Sequence, residues 1–217
     1  MHKKSVDLLN FFLTYCNCLL FNSVTFIDNK NIPTGQPIIF VANHQSTFDI
    51  PAMIYFLRRF HGKFISKIEL AKGIPSISFN LKHGGAANID RKDSKQSIGE
   101  ILKLANNMKT KNWSAFIFPE GTRTTPGQPP NFHRGAAAIA LRGAKMITPV
   151  RIAVTPTTLT KAEAWYSIPH RRFHFSLEVG EKIDPCDFNA YSSAPIASRK
   201  LNKYLHSYYI KDDVKNE

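Results

Sequence analysis

Cysteine is scarce in this chain, and its spacing excludes two common ways of stabilising a small fold. Three cysteines occur among 217 residues, Cys16 and Cys18 near the N-terminus and Cys186 far from both. An odd count gives no disulfide framework, and the spacing matches no common zinc site. We therefore expect a reducing compartment, small buried thiols and no bound metal.

A long, purely apolar run is also missing. The segment Leu8 to Ile27 has twenty uncharged residues, enough by length to cross a bilayer. Polar residues interrupt it at Asn10, Thr14, Asn17, Asn22, Ser23 and Thr25. This pattern favours a helix that lies in or dips into one leaflet over a spanning helix. A buried amphipathic helix packed on the domain is the alternative. A cleaved signal peptide is disfavoured, because no clear small-residue cleavage site follows the apolar part.

Acidic residues are few. The chain has 16 Asp and Glu against 29 Lys and Arg, which gives a net charge of +13. This excess favours an anionic partner, either a phospholipid surface, a phosphate-bearing substrate or nucleic acid. Nucleic acid is the least expected of the three, since the sequence has neither a dense basic run with interleaved aromatic residues nor zinc-finger spacing. A non-enzymatic basic module that binds anionic lipid is an alternative interpretation of this charge.

Apolar runs and helical spacing alternate along the rest of the chain. The runs predict strands at 37–42, 63–66, 86–89, 114–118, 147–154 and 173–179. Helices are predicted over Ser97–Met108, with Ser97 and Glu100 as a capping box, and over Arg134–Arg142 and Ser193–Tyr209. The last helix is expected to turn these residues toward the core: Ile196, Leu201, Tyr204, Leu205 and Tyr208.

This alternation predicts an α/β fold, a single domain with a mostly parallel central sheet flanked by helices. The sequence contains neither a repeat nor a long low-complexity stretch, and 43% hydrophobic residues suffice for one core. We expect three regions: an N-terminal apolar membrane-associating helix at 1–30, the domain at 31–210 and a frayed tail at 211–217.

A histidine and a carboxylate, His44 and Asp49, follow the apolar run Pro37 to Val41. On a regular helix their side chains would lie roughly 140° apart, so they can meet only across a turn. Pro51 suits the first turn of a helix, which places His44 in a strand-to-helix loop. Such a pair can activate a hydroxyl, with imidazole as the base and carboxylate as its orienting partner. Alternatively, Asp49 only caps the helix and His44 bonds to backbone.

A second polar block, Phe118 to Thr124, comes directly after the apolar run Ala115 to Phe118. A strand that ends in proline and glycine exposes backbone amides, and Arg123 adds a planar cation suited to phosphate. Because the carboxyl ends of parallel strands gather at one edge, both blocks are expected at one site. The alternative for this block is a simple turn with a solvated arginine.

Together these blocks resemble the glycerophosphate and lysophospholipid acyltransferase family, whose motifs read Asn-His-x-x-x-x-Asp and Phe-Pro-Glu-Gly-Thr-Arg. Further matches follow in the family's order: Phe64 to Lys67 with Glu69, Leu70 and Pro75, Gly85 to Arg91, Phe132 to Ala136, and Ile147 to Val150. The resemblance covers about residues 35–185.

The resemblance implies that His44 is the general base and that Asp49 orients it and stabilises its charged form. It also implies a set of residues that hold the acceptor: Lys67, Arg91 and Arg123 on the phosphate, with Glu120, Gly121 and Thr122 shaping the glycerol pocket. The acceptor hydroxyl would attack the thioester of acyl-CoA or acyl carrier protein, which acts as a co-substrate, so no cofactor is expected.

The implied function is acyl transfer to a lysophospholipid, above all 1-acylglycerol 3-phosphate giving phosphatidic acid, by a membrane-associated enzyme at the cytoplasmic face. One departure leaves a different acceptor open, such as a lyso-aminolipid. The family usually has bulky apolar residues where Ala86, Ala87 and Asn88 stand.

Overall fold

The computed structural model describes residues 2–19, 22–28, 30–72, 75–125, 131–161, 163, 167, 171–189 and 193–213. Its strands are β1 (Ser23–Ile27), β2 (Ile38–Ala42), β3 (Lys63–Lys67), β4 (Ala87–Ile89), β5 (Ala115–Ile117), β6 (Met146–Thr155) and β7 (His174–Val179). Its α-helices are α1 (His2–Leu19), α2 (Asp49–Phe56), α3 (Pro75–His83), α4 (Ser94–Lys111), α5 (Gly135–Gly143), α6 (Cys186–Asn189) and α7 (Ala194–Asp213). Short 3-10 helices span Arg58–Phe60 and Ile68–Ala71.

The strands form one sheet in the order β1-β7-β6-β2-β5-β3-β4. All neighbouring pairs are parallel except β6 with β7. The predicted α/β fold with a mostly parallel sheet is confirmed, and the bounds of the six predicted strands agree with the structure to within one residue. Continuous apolar runs are typical of parallel strands covered on both faces, which explains this agreement.

The N-terminal region differs from the prediction of one helix through residue 30. Helix α1 ends at Leu19, and Ser23–Ile27 form β1, which pairs with β7 at the edge of the sheet. The stretch Ser-Val-Thr-Phe-Ile is rich in β-branched and aromatic residues, which favour a strand. Among the helices of the described ranges, none has the length and apolar character that crossing a membrane requires.

Two helix predictions also need correction. Helix α4 begins at Ser94, three residues before Ser97, because Asp93 is its N-cap. The Asp93 side chain accepts hydrogen bonds from the backbone N–H groups of Lys95 and Gln96, each at 3.0 Å. In α7, Ile196 and Tyr204 are exposed, whereas Leu201, Leu205 and Tyr209 are buried. Helix α3 was not predicted.

The side chains of β2 divide the core into two layers, as expected for a central strand. Ile39 and Val41 belong to the layer under α4, α5 and α7, and Ile38, Phe40 and Ala42 to the layer under α2. All five are fully buried. Strands β2 and β5 are neighbours and parallel, so the polar loops that follow them emerge side by side at one edge.

Candidate active site

His44 and Asp49 meet across the turn between β2 and α2. The His44 Nδ1 lies 2.8 Å from Asp49 Oδ2, and the same oxygen accepts the backbone N–H groups of Gln45 at 2.7 Å and Ser46 at 2.9 Å. The Asp49 side chain is fully buried, and the His44 side chain is 13% exposed. A carboxylate that accepts Nδ1–H fixes the tautomer in which Nε2 carries the lone pair. The pair therefore has the geometry of a base and its orienting carboxylate.

The His44 ring is held from the side by Phe118. The two rings stack with centroids 4.1 Å apart and an angle of 17° between their planes. Phe118 follows β5, so the contact joins the two polar blocks directly. Stacking and the Asp49 hydrogen bond together restrict rotation of the imidazole. The sequence gives no signal for this contact, because Phe118 reads simply as the last residue of an apolar run.

Glu120 lies beneath the His44 loop rather than on an open surface. It is 5% exposed, and its Oε2 accepts the His44 backbone N–H at 3.1 Å and lies 2.9 Å from the Thr124 hydroxyl. In return, the Thr124 backbone N–H donates to the His44 carbonyl at 2.7 Å. Burial raises the pKa of the Glu120 carboxyl to about 7; the two hydrogen bonds oppose this rise, and the charge of Asp49 adds to it.

Two side-chain amides attach the His44 loop to β6. Asn43 donates from Nδ2 to the Ile152 carbonyl at 2.8 Å and accepts the Ile152 N–H on Oδ1 at 2.7 Å. Gln45 Oε1 accepts the Val154 N–H at 3.2 Å. Beyond Ala42 the backbone of β2 has left β6, and these amides take its place. Neither residue is among the predicted site residues; their position beside His44 is the signal that identifies them.

Arg123 is engaged by the protein itself. Its Nη1 donates to Thr47 Oγ1 at 2.7 Å and to the carbonyls of Leu159 at 2.9 Å and Thr160 at 2.8 Å. The Thr47 backbone N–H also donates to Leu159, at 3.1 Å. Arg123 thus joins its own loop to the His44 loop and to the loop after β6. A phosphate-binding role for Arg123 stays a prediction, and it would have to involve guanidinium nitrogens other than Nη1.

The other predicted acceptor residues lie at the same edge of the sheet. Lys67 ends β3 and is exposed, and it is aligned with Ile89, two residues before Arg91. The exposed Arg91 donates from Nη2 to the Gly121 carbonyl. Gly121 has a φ of +68°, a backbone conformation that residues with a side chain rarely adopt, so glycine is favoured there. Thr122 is exposed beside them.

Comparisons with known proteins identify the family of the chain. The family model described as Acyltransferase matches residues 23–153, a region that contains every predicted site residue. The chain is 31% identical over 133 residues, 61% of its length and 39% of the relative's, to a 1-acyl-sn-glycerol-3-phosphate acyltransferase of Chlamydomonas reinhardtii. It is 30% identical over 144 residues, 66% of its length and 47% of the relative's, to the alpha enzyme of that name from Ovis aries.

A chloroplastic enzyme of the same name from Arabidopsis thaliana is 32% identical over 124 residues, 57% of this chain and 34% of that one. The chain thus spans about a third to a half of the length of these curated relatives. The solved structure of the 1-acyl-sn-glycerophosphate acyltransferase from Thermotoga maritima superposes with a TM-score of 0.68 at 24% identity, covering 99% of this chain and 80% of that one. This likeness establishes a shared fold. Because the family model matches more than half of the sequence, the chain belongs to the acyltransferase family.

Proposed function

We propose that the protein is an O-acyltransferase that moves a fatty acyl group from acyl-CoA or acyl carrier protein to a lysophospholipid hydroxyl. The observation that carries this proposal is the His44–Asp49 pair, which leaves Nε2 as a free base in a member of the acyltransferase family. The acceptor that we favour is 1-acylglycerol 3-phosphate, giving phosphatidic acid, since several relatives carry that substrate in their names.

The proposed reaction uses His44 twice. Nε2 removes the proton from the acceptor hydroxyl as its oxygen attacks the thioester carbonyl carbon, and the imidazolium is stabilised by Asp49. When the tetrahedral intermediate collapses, the C–S bond breaks and the proton passes from His44 to the departing thiolate. The new ester and a free thiol are the products. No acyl-enzyme intermediate, metal or redox cofactor is needed for this sequence of steps.

Lys67 and Arg91 are the residues that we assign to the acceptor phosphate. Both are exposed at the ends of neighbouring strands, whereas Arg123 Nη1 already makes three hydrogen bonds within the protein. Arg91 also keeps contact with Gly121, so a phosphate bound there would lie beside the Glu-Gly-Thr-Arg loop. A lysine point charge and an arginine fork together suit a phosphate monoester.

The unusual polar residue in the middle of β4, Asn88, gives no support to a different acceptor. Asn88 Oδ1 accepts the Ser66 hydroxyl at 2.8 Å, and its Nδ2 donates to the Leu81 carbonyl at 2.8 Å. Its side chain is therefore used to attach α3 to the sheet. For this reason we favour a phosphate-bearing acceptor over a lyso-aminolipid.

Helix α1 has the polarity expected at a membrane surface. Its inward face carries the buried polar residues Asn10 and Thr14, while Leu8 and Phe12 are 56% and 53% exposed. Leucine and phenylalanine side chains that face water contribute no free energy of burial. In a membrane leaflet the same side chains would bury their apolar area. The exposed Lys3 and Lys4 and the net charge of +13 suit anionic phospholipid. We therefore propose that α1 holds the enzyme on a phospholipid surface, at its cytoplasmic face.

Replacing either member of the His44–Asp49 pair should strongly reduce transfer. We expect His44→Ala and Asp49→Asn each to lower kcat by about 10²–10⁴-fold, because the first removes the base and the second its correct tautomer. Thiol release from acyl-CoA or acyl carrier protein in the presence of 1-acylglycerol 3-phosphate measures this. His83→Ala, at an exposed histidine of α3, is the matched control and should keep wild-type activity. Undiminished transfer by His44→Ala would refute the mechanism.

Removing a phosphate contact should weaken acceptor binding. We expect Lys67→Ala to raise the KM for 1-acylglycerol 3-phosphate about tenfold with little change in kcat, as for loss of one charged hydrogen bond. Steady-state kinetics with a phosphate-free monoacylglycerol should show no such difference. Lys109→Ala, at the far end of α4, controls for lost surface charge. An unchanged KM in Lys67→Ala would remove this residue from the phosphate site.

Glu120 should make stability depend on pH near neutrality. Its folded pKa of about 7 exceeds the ordinary 4.5, so its stabilising contribution is complete below pH 4.5 and is lost as the pH rises through 7. Denaturant unfolding should show that wild type loses about 3 kcal/mol more than Glu120→Gln between these pH values. Glu69→Gln, at an exposed carboxylate, should keep the wild-type profile. Parallel profiles for wild type and Glu120→Gln would contradict the proposed burial of a titrating carboxyl.

Polar substitutions on the outer face of α1 should weaken vesicle binding. We expect the double variant Leu8→Ser, Phe12→Ser to lose about tenfold or more in partitioning to phosphatidylglycerol-containing vesicles, since apolar insertion area is removed. Co-sedimentation measures the bound fraction. The matched control is Ile196→Ser, Tyr204→Ser, at residues of α7 that are 41% and 49% exposed. Equal losses in both double variants would argue against a specific role for α1.

A further inference from the structure

Tyr209 is buried beneath the active site although it belongs to α7, outside the region that the family model matches. It is 4% exposed, and its hydroxyl donates to the Val41 carbonyl and accepts the Val150 N–H at 3.3 Å. Burial raises the pKa of the phenol well above its ordinary value, so the hydroxyl keeps its proton at neutral pH. The Tyr209 hydroxyl thus remains a hydrogen-bond donor between β2 and β6 at neutral pH.

The position of this hydroxyl along the sheet is informative. The pairing of β2 with β6 ends at Ala42 and Val150, while β6 continues to Thr155. Further along the same edge of β6, the backbone of Ile152 is bonded by Asn43 and that of Val154 by Gln45. Tyr209 therefore lies where β2 leaves its neighbour and turns into the His44 loop. Three side chains in succession replace the departing backbone, and the first comes from the C-terminal helix.

The ring of Tyr209 is fixed from several sides. It packs edge-on against Phe132, with centroids 5.4 Å apart, and the Asn202 amide of the same helix donates to the Phe132 carbonyl at 3.2 Å. The next residue, His133, donates its backbone N–H at 2.8 Å to the carbonyl of Pro119, which directly precedes Glu120. Helix α7 thus contacts the supports of both polar blocks, and the hydroxyl has little freedom to move away from Val41.

We infer that Tyr209 is a positioning residue for catalysis: its hydroxyl holds the end of β2 so that the His44 imidazole is aligned for proton transfer. This inference rests on the proposed acyl transfer. Without the hydroxyl, the Val41 carbonyl and the Val150 N–H, both buried, lose a partner, and the strand end shifts to satisfy them. His44 is three residues from Val41, so a small shift there reaches the base directly.

The test is Tyr209→Phe, which removes one oxygen and keeps the ring. We expect kcat to fall about tenfold to a hundredfold, the KM for 1-acylglycerol 3-phosphate to stay within about twofold, and unfolding to remain cooperative with a Tm lowered by a few degrees. Amide hydrogen exchange should accelerate in the segment 41–45. Tyr204→Phe, on the exposed side of the same helix, should match wild type in all of these measurements.

A purely structural role would give a different result. A lowered Tm with wild-type kcat per folded molecule, or failure of Tyr209→Phe to fold at all, would overturn the inference. The hydrogen-exchange measurement separates this inference from the proposed function. If the wild type transfers no acyl group to any acceptor, the proposed function fails. If exchange at 41–45 is unchanged in Tyr209→Phe, the positioning by Tyr209 fails, whatever the reaction is.

Discussion

Two buried carboxyl groups that accept hydrogen bonds from the same loop determine the shape of this site. Asp49 receives the His44 ring and the next two backbone amides, and Glu120 receives the backbone amide of His44 itself. Within the described residues, neither carboxyl group forms an ion pair with a lysine or an arginine. Their burial is therefore tolerated only while the loop keeps the conformation that supplies these donors. The conformation of the His44 loop and the ionisation of Glu120 are thus coupled.

The same loop has to leave the sheet without exposing unpaired backbone on β6. Asn43, Gln45 and Tyr209 solve this problem by supplying side-chain hydrogen bonds in place of strand pairing. Arg123 adds a fourth attachment through the loop after β6. The polar residues of the two motifs consequently serve two purposes, since those that do not face the reacting groups keep the others in position. This division accounts for the many polar side chains that surround His44.

The sequence was sufficient for six of the seven described strands and for the meeting of His44 with Asp49. Uninterrupted apolar runs mark the central strands, and Pro51 indicates where α2 begins. It was insufficient wherever contacts join distant segments. The carbonyls that bind Arg123 lie 36 and 37 residues away, in a loop without periodicity. Strand β1 is not apparent in the sequence, because its apolar residues continue those of α1. Helical spacing alone also does not decide which of the neighbouring residues Tyr208 and Tyr209 faces the core.

The contact between α1 and α2 links an exposed helix of the protein to the helix that begins at Asp49. Phe11 and Tyr15 pack against Tyr55, with ring centroids 5.5 and 5.4 Å apart. Tyr55 lies six residues along α2 from Asp49, about 9 Å at the rise of a regular helix. A tilt of α1 would therefore displace Tyr55 and, through the helix, the N-terminal end of α2, where Asp49 lies. The tilt of α1 and the position of Asp49 are therefore linked through the ring of Tyr55.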